Sequence, residues 1–359
     1  MRILKTSSKA AQPSATAFGI TKSEPHPGTR DDLRRLGYSK NKVSVNKIQL
    51  ALPIVFFLIT SVHATDKIRI STPADAAHFT MHLAQKRGFL REEGFDAELI
   101  VISGPVANVA LSNGDTDYFS GFGSAVRAIL QSLPLRIVAC YRPTPHFMLQ
   151  SRPEFKSVKD LKGKTIGVRA FGGGPDLVGR LMIKHFGLDP DRDVKWAVSG
   201  SDEGRYIRMQ QGLLDATVAT VPTDYLGRKM GFPIIARSED LFTYPFSGLT
   251  AHTRKIKEKP DEVKRVIRAG IKANRYMRAN RDGTVQVLMS TYRIDKEIAT
   301  AAYDSFIKGF NLDGSMPEDG FKRLLDDTKR LMKIDREVAL GEVADLSLLR
   351  EAQKELGIR

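Results

Sequence analysis

Beyond Lys67, two kinds of apolar spacing take turns along the chain. One recurs every second residue or runs as short β-branched stretches, and the other recurs every three to four residues. The first places side chains on alternate faces of a strand and the second on one stripe of a helix. Lys67–Thr72 (KIRIST) predicts a strand, followed by a helix over about 76–89 and a strand over Asp96–Ser103. Val106–Leu111 predicts a short helix, Asp117–Ser120 a strand, Ser124–Gln131 a helix and Leu135–Tyr141 a strand. After a polar lead-in, Ser157–Lys164, the alternation restarts. Strands are expected over Thr165–Val168, Asp193–Ser199 and Asp215–Thr220, with extended chain over Pro233–Arg237. Helices are expected between them over Pro175–Phe186, Asp202–Gln211 and Pro222–Met230. A last strand, Leu249–Ala251, precedes helical periods over Pro260–Asn280, Asp282–Met289, Lys296–Lys308, Pro317–Met332 and Ala344–Leu356.

Strands alternating with helices imply mostly parallel sheets covered on both faces. Two such units and a long helical tail imply an α/β chain with two lobes. Lobe one takes residues 65–150 and 246–359, lobe two residues 151–245, and the tail packs on lobe one. Two crossover segments then join the lobes beside a cleft.

Residues 1–39 show neither period and are rich in Ser, Thr, Pro, Lys and Arg, so they read as a disordered leader or an over-extended gene start. Residues 40–64 have the three parts of an export signal: a basic stretch through Lys47, the apolar run Ile48–Val62, and Val62-His63-Ala64 as a cleavage site. The run is short of the roughly 20 residues a spanning helix needs, and it contains Pro53. Cleavage after Ala64 is expected, giving a periplasmic protein. Because no methionine lies between Met1 and Met81, a non-Met start codon at Val43 or Val45 is the expected translation start.

A formal net charge of +15 would otherwise suggest a nucleic-acid partner. The first 64 residues, however, hold ten Lys/Arg against three acids, so the remaining chain carries +8. That excess forms no block of like charge and has no interleaved aromatics, and nucleic-acid binding loses its support. A single cysteine, Cys140, rules out an intramolecular disulfide, a thiolate zinc cluster and an iron–sulfur centre. No cofactor and no metal are expected.

Familiar catalytic signatures are incomplete. Gly163-Lys164-Thr165 has Val158 where a phosphate-binding loop needs glycine, and it precedes a strand. Gly172-x-Gly174 has Leu177 where a dinucleotide site needs its third glycine. His78 and His82 share a helix face without the glutamate of a metalloprotease, and no third ligand is evident. What remains is a repeated placement of small, hydroxyl and basic residues at the carboxyl ends of strands, where ligands bind in parallel α/β sheets. The candidates are Thr72, Ala74, His78, Phe122, Ser124 and Arg142 in lobe one. Lobe two offers Arg169, Gly173, Gly174, Ser201 and Thr223. Arg142 and Arg169 are the expected clamps for a carboxylate or sulfonate. The same residue types also cap helices and close turns with no ligand involved.

Several segments resemble one protein family. They are Leu83–Asp96 (LAQKRGFLREEGFD), Asn113–Tyr118 (NGDTDY), Gly123-Ser124-Ala125, Asp160–Val168 (DLKGKTIGV) and Gly212–Ala216 (GLLDA). Together they are similar to solute-binding proteins of ABC importers, in the nitrate/sulfonate/taurine and thiamine-pyrimidine-precursor-like group. The likeness covers about residues 67–335, and DLKGKTIGV is its most specific part. It implies a type II periplasmic-binding-protein fold, with lobes that close on a small anionic or polar organic ligand. It also implies a monomeric, non-catalytic receptor that delivers the ligand to an ABC permease transmembrane subunit. The enzymes of this group carry a cysteine-rich motif, which one cysteine cannot supply, and lipid-anchored members need a cysteine where this chain has Thr65. A small-molecule enzyme on the same fold and a ligand-sensing receptor for a membrane sensor are the alternatives.

Overall fold

A computed structural model of the chain describes residues 65–172 and 174–358. The leader, the export segment and Gly173 lie outside them. Lobe one begins with β1 (Asp66–Thr72), α1 (Phe79–Lys86), α2 (Phe89–Glu92), β2 (Phe95–Val101), α3 (Gly104–Asn113), β3 (Tyr118–Gly121), α4 (Gly123–Leu130) and β4 (Leu135–Arg142). Lobe two holds β5 (Met148–Ser151), β6 (Thr165–Val168), α5 (Gly174–His185), β7 (Lys195–Val198), α6 (Asp202–Gln210), β8 (Ala216–Ala219), α7 (Thr223–Lys229) and β9 (Ile234–Arg237). The chain returns through β10 (Ser247–His252). It then runs through α8 (Thr253–Glu258), α9 (Pro260–Ala279), α10 (Arg281–Tyr292), α11 (Lys296–Phe306), α12 (Glu318–Met332), α13 (Leu340–Val343) and α14 (Ser347–Glu355).

The two sheets share one plan. Lobe one is ordered β2-β1-β3-β10-β4 and lobe two β7-β6-β8-β5-β9. β1 pairs parallel with β2 and β3, and β6 pairs parallel with β7 and β8. In the fourth position of each sheet lies one antiparallel strand, β10 in lobe one and β5 in lobe two. Those are the two strands that arrive from the other lobe. Parallel strands end at the cleft; a strand entering from the cleft starts there and must run the opposite way. The expected mostly parallel sheets are therefore mixed. β5 also carries the lobe boundary back from residue 151 to Met148, since it pairs only with lobe-two strands.

The crossovers are tied to each other. Tyr244 N donates to Pro143 O (2.9 Å), Phe246 N to Arg142 O (2.9 Å) and Ser238 N to Phe147 O (3.0 Å). These bonds satisfy backbone groups that would otherwise be buried unpaired between the lobes.

Why α9 forms is plain in its sequence. Pro260 occupies the first turn, where its missing N–H costs nothing, and Asp261 and Glu262 complement the helix dipole. Its buried positions Val263, Val266, Ile267, Gly270, Ile271, Asn274 and Met277 follow the helical period. Gly270 is required by close approach, because a Cβ there would lie 2.3 Å from the Tyr141 ring. Asn274 is buried yet paired: its amide donates to Tyr141 O (3.0 Å) and Asn311 O (2.8 Å), and its oxygen accepts from Thr80 Oγ1 (2.8 Å).

The tail is less confined to lobe one than its period suggested. α9 and α14 cover lobe one, but α11 and α12 also reach lobe two. From α11, Ser305 donates to Asp224 Oδ2 (3.4 Å) and accepts from Arg237 Nη1 (3.2 Å), both in lobe two. Phe321, Leu324 and Leu325 of α12 share one apolar cluster with Phe122 of lobe one and Val178 and Met182 of lobe two. An amphipathic period shows that a face is buried, not which lobe buries it. The expected single helix over 76–89 is likewise broken, with Gly88 at φ +83° separating α1 from α2. None of the described helices is long and apolar enough to cross a membrane.

Candidate functional site

A pocket of about 220 Å³ lies between the lobes. Three helices begin on it: Gly104 opens α3, Gly123 opens α4 and Gly174 opens α5. Each N-terminus presents unpaired N–H groups and partial positive charge. Small residues make that convergence possible: a Cβ on Gly104 would lie 2.4 Å from Ser124 Oγ. Ser124, Arg127 and Thr328 add polar side chains to the wall. The apolar part comes from Phe119, Phe122, Leu177, Val178, Tyr244, Phe246 and Leu324. Phe122 is fixed edge-on against Phe321, with ring centroids 6.3 Å apart.

Asp75 supplies the acidic part of the wall, with His78 beside it. Asp75 Oδ1 accepts from Ala77 N (3.0 Å) and bonds His78 Nδ1 (2.9 Å). Burial opposes ionisation of Asp75, but the His78 ring and the Ala77 N–H outweigh it and hold the carboxyl below the ordinary range. Behind this wall, under Phe246, His146 is buried with neither ring nitrogen paired, and its centroid lies 5.9 Å from the Phe246 ring. Burial and then the nearby Arg142 charge push the His146 ring well below its ordinary value, so it is neutral.

Of the eleven candidate residues, the structure brings His78, Phe122, Ser124 and Gly174 to the pocket wall. Thr72 stops short of it, fully buried, with its Oγ1 accepting from Ser120 Oγ (2.8 Å). Ala74 is exposed on the loop after β1. Gly173 lies outside the described residues. Arg142, expected to clamp an anion, is fully buried behind the wall. It donates to Thr144 O (3.0 Å) and Phe306 O (3.2 Å), lies 3.5 Å from Glu239, and stacks on Phe310. Arg169 is 65% exposed and 3.9 Å from Asp202. Ser201 caps α6 by accepting from Gly204 N (3.2 Å), and Thr223 donates to Asp202. These lobe-two residues build the local fold around Asp202 and do not line the pocket.

Sequence reasoning missed Asp75, Gly104, Arg127, Tyr244, Phe246 and the α12 residues Leu324 and Thr328. Asp75 was within reach, since it follows β1 in the same loop as Ala74. Nothing local points to Leu324 and Thr328, which arrive from about 200 residues away in sequence.

His82, the partner of His78 on one helix face, packs on Tyr292 at 6.3 Å between ring centroids. Burial, then the His78 and Lys86 charges, lower its pKa from 6.5 to about 4. The unfolded chain therefore binds a proton at His82 that the folded chain refuses over this interval. Stability falls as pH drops from 6.5 toward 4, by up to about 3 kcal/mol from this group. Buried Asp224, raised to about 6, contributes with the opposite sign. The measurement is the difference between wild type and His82→Gln in melting temperature against pH, with the variant's profile the flatter.

Comparison with known proteins places this architecture. Residues 75–283 match the family described as NMT1/THI5 like. The chain belongs to the NMT1/THI5-like family. A candidate binding protein of Brucella abortus (strain 2308) is 26% identical over 267 residues, covering 69% of this chain and 79% of that protein. The periplasmic aliphatic sulphonate binding protein SsuA of Escherichia coli superposes with a TM-score of 0.68 at 18% identity. It covers 78% of this chain and 92% of its own. The desulfurization enzyme DSZB superposes at 0.59 with 16% identity, covering 81% and 99%. The two-lobed α/β architecture of this NMT1/THI5-like protein is thus a periplasmic-binding-protein fold, one that serves binding proteins and at least one enzyme.

Proposed function

We propose that this protein is an extracytoplasmic solute receptor. It captures a small anionic or polar organic ligand between its lobes and hands it to an ABC permease. The observation that carries this reading is the convergence of three helix N-termini on one interlobe pocket. Helix ends from both lobes stabilise an anion without a full protein charge, and holding it ties the lobes together. The pocket's volume lies below the ~300–1,000 Å³ of drug-sized sites, which suits a small solute. Aromatic walls accommodate an organic tail. The sulphonate-binding neighbour fits this reading. So does an export segment at 40–64, cleaved after Ala64, which would deliver a soluble monomer to the periplasm.

Thiol catalysis has little to work with. Cys140 is fully buried in β4, away from the pocket wall, and burial pushes its thiol well up from the ordinary value. A thermal-shift screen of ethanesulfonate, toluenesulfonate, nitrate and small carboxylates tests the receptor reading. A ligand at a hundred times its Kd adds about 2.7 kcal/mol, seen as a rise of several degrees. Chemical turnover of a bound solute by the pure protein would overturn the reading.

A further inference from the structure

Tail helices meet lobe two at two places, and the two contacts are held differently. At the first, α11 is bonded to α7 and β9. Glu297 accepts from Tyr225 and from Lys229 Nζ (3.1 Å), while Ser305 donates to Asp224 Oδ2 (3.4 Å) and accepts from Arg237 Nη1 (3.2 Å). No residue of α7 or α11 lines the interlobe pocket. At the second, α12 meets α5, and Leu324 and Thr328 of α12 form part of the pocket wall. The polar bonds of α12 stay inside the helix: Thr328 Oγ1 donates to Leu324 O (2.7 Å) and Arg330 to Asp327 (2.8 Å). Among the described residues, no hydrogen bond or ion pair joins α12 to α5. The contact is apolar, with Phe321, Leu324 and Leu325 clustered with Val178 and Met182. The Arg323 guanidinium adds a contact over the Phe242 ring (5.6 Å). On the solvent side, grooves of about 570 and 480 Å³ run between α5 and α12. Both ends of the α12 segment are tied to β4 of lobe one. Before it, Cys140 N donates to Gly314 O (2.8 Å) and Asn311 Nδ2 to Cys140 O (2.8 Å); after it, Asp345 N donates to Ile137 O (2.9 Å). Directional hydrogen bonds fix the α7–α11 contact, whereas apolar contacts let packed helices slide and part.

We propose that α12 is the gate of the interlobe pocket. It travels with lobe one, and the lobes part along the α5–α12 contact while the α7–α11 contact stays bonded. Parting there carries Leu324 and Thr328 off the pocket and opens it to the grooves. At this contact the movement exposes apolar surface but leaves no polar group unpaired, which keeps it low in cost. The inference rests on the reading of the pocket as the solute site and adds the route by which a solute enters.

Thiol labelling of the full protein with dithionitrobenzoate, in the absence of any solute, tests this. Leu325→Cys places a thiol in the contact at a position 7% exposed, and fully buried Cys140 of the same molecule reports global unfolding. Thr328→Cys is the second variant should Leu325→Cys fail to fold, and Ala302→Cys, on the buried face of α11, is the control. The thiol on α12 is expected to react roughly a hundredfold faster than Cys140, at a rate that low urea does not change. Lys184 of α5 and Asp327 of α12 line the same groove. Lys184→Glu turns their attraction into repulsion and should speed labelling about threefold at low salt, an effect that high salt removes. Labelling on α12 no faster than that of Cys140 overturns the gate and leaves the receptor reading standing. Equally fast labelling of Ala302→Cys also overturns it, because the tail then loosens as a whole. No acceleration by Lys184→Glu places the opening elsewhere and overturns it too. Fast labelling on α12 in a protein that binds no screened solute supports the gate and counts against the receptor reading.

Discussion

Replacing Arg205 by alanine will cost about 3–5 kcal/mol of folding stability, the range for breaking a buried ion pair by removing one partner. Arg205 has no exposed surface, and Asp202 is 2% exposed. The guanidinium donates to Asp202, to Gly200 O, to Thr217 Oγ1 (2.7 Å) and to Val218 O (3.2 Å). Its stem lies on β6, where a Cβ at Gly167 would come within 3.0 Å of Arg205 Cδ. The carboxylate of Asp202 also accepts from Thr220 N (3.0 Å) and from the hydroxyls of Thr220 (2.6 Å) and Thr223. Without the arginine, that carboxylate stays buried with its main counter-charge gone. Whole-protein stabilities are typically 5–15 kcal/mol, so the loss removes a large share. Urea unfolding measures it, as a drop in midpoint with little change in slope. Arg205→Met combined with Asp202→Asn should cost less than the two single changes added together, because the same interaction is lost in each. A loss below about 1 kcal/mol for Arg205→Ala would place the pair with surface ion pairs and refute the argument.

Gly123→Phe will abolish ligand binding while leaving the protein folded. Gly123 opens α4 at the pocket, and a Cβ there meets only Leu324 Cδ1, at the ordinary contact distance of 3.9 Å. The backbone therefore tolerates a side chain. A phenyl ring projecting from this position takes up much of a cavity of about 220 Å³ and covers the N–H groups of α4. Affinity for any solute found by thermal shift is expected to fall by two orders of magnitude or more, about 2.7 kcal/mol. The variant's melting temperature without ligand should stay within a few degrees of wild type. Unchanged affinity would mean that the solute binds elsewhere.

Much of the architecture can be read along the chain because its causes are local. Alternation in KIRIST marks β1, and the stripe from Val263 to Met277 marks α9. The first 64 residues, with their basic leader and export-type segment, account for +7 of a misleading +15. His78, Phe122, Ser124 and Gly174 could be named because each sits just past a strand, where parallel sheets offer helix N-termini.

Other features depend on partners distant in sequence. The antiparallel senses of β5 and β10 follow from their entry at the cleft, which strand propensity does not contain. Arg142 and Arg169 look alike as loop-end arginines. One is sealed behind the wall against Phe310 and Glu239, and the other stands open to solvent beside Asp202. Leu324 and Thr328 reach the pocket only because α12 crosses back over α4 to meet α5. By itself the sequence determined the elements, the two-lobed class and the kind of place a ligand would occupy, since periodicity and strand-end chemistry act over a few residues. Only the tertiary structure decided which polar groups share the pocket and which are spent on the fold, because burial and pairing are set by neighbours far along the chain.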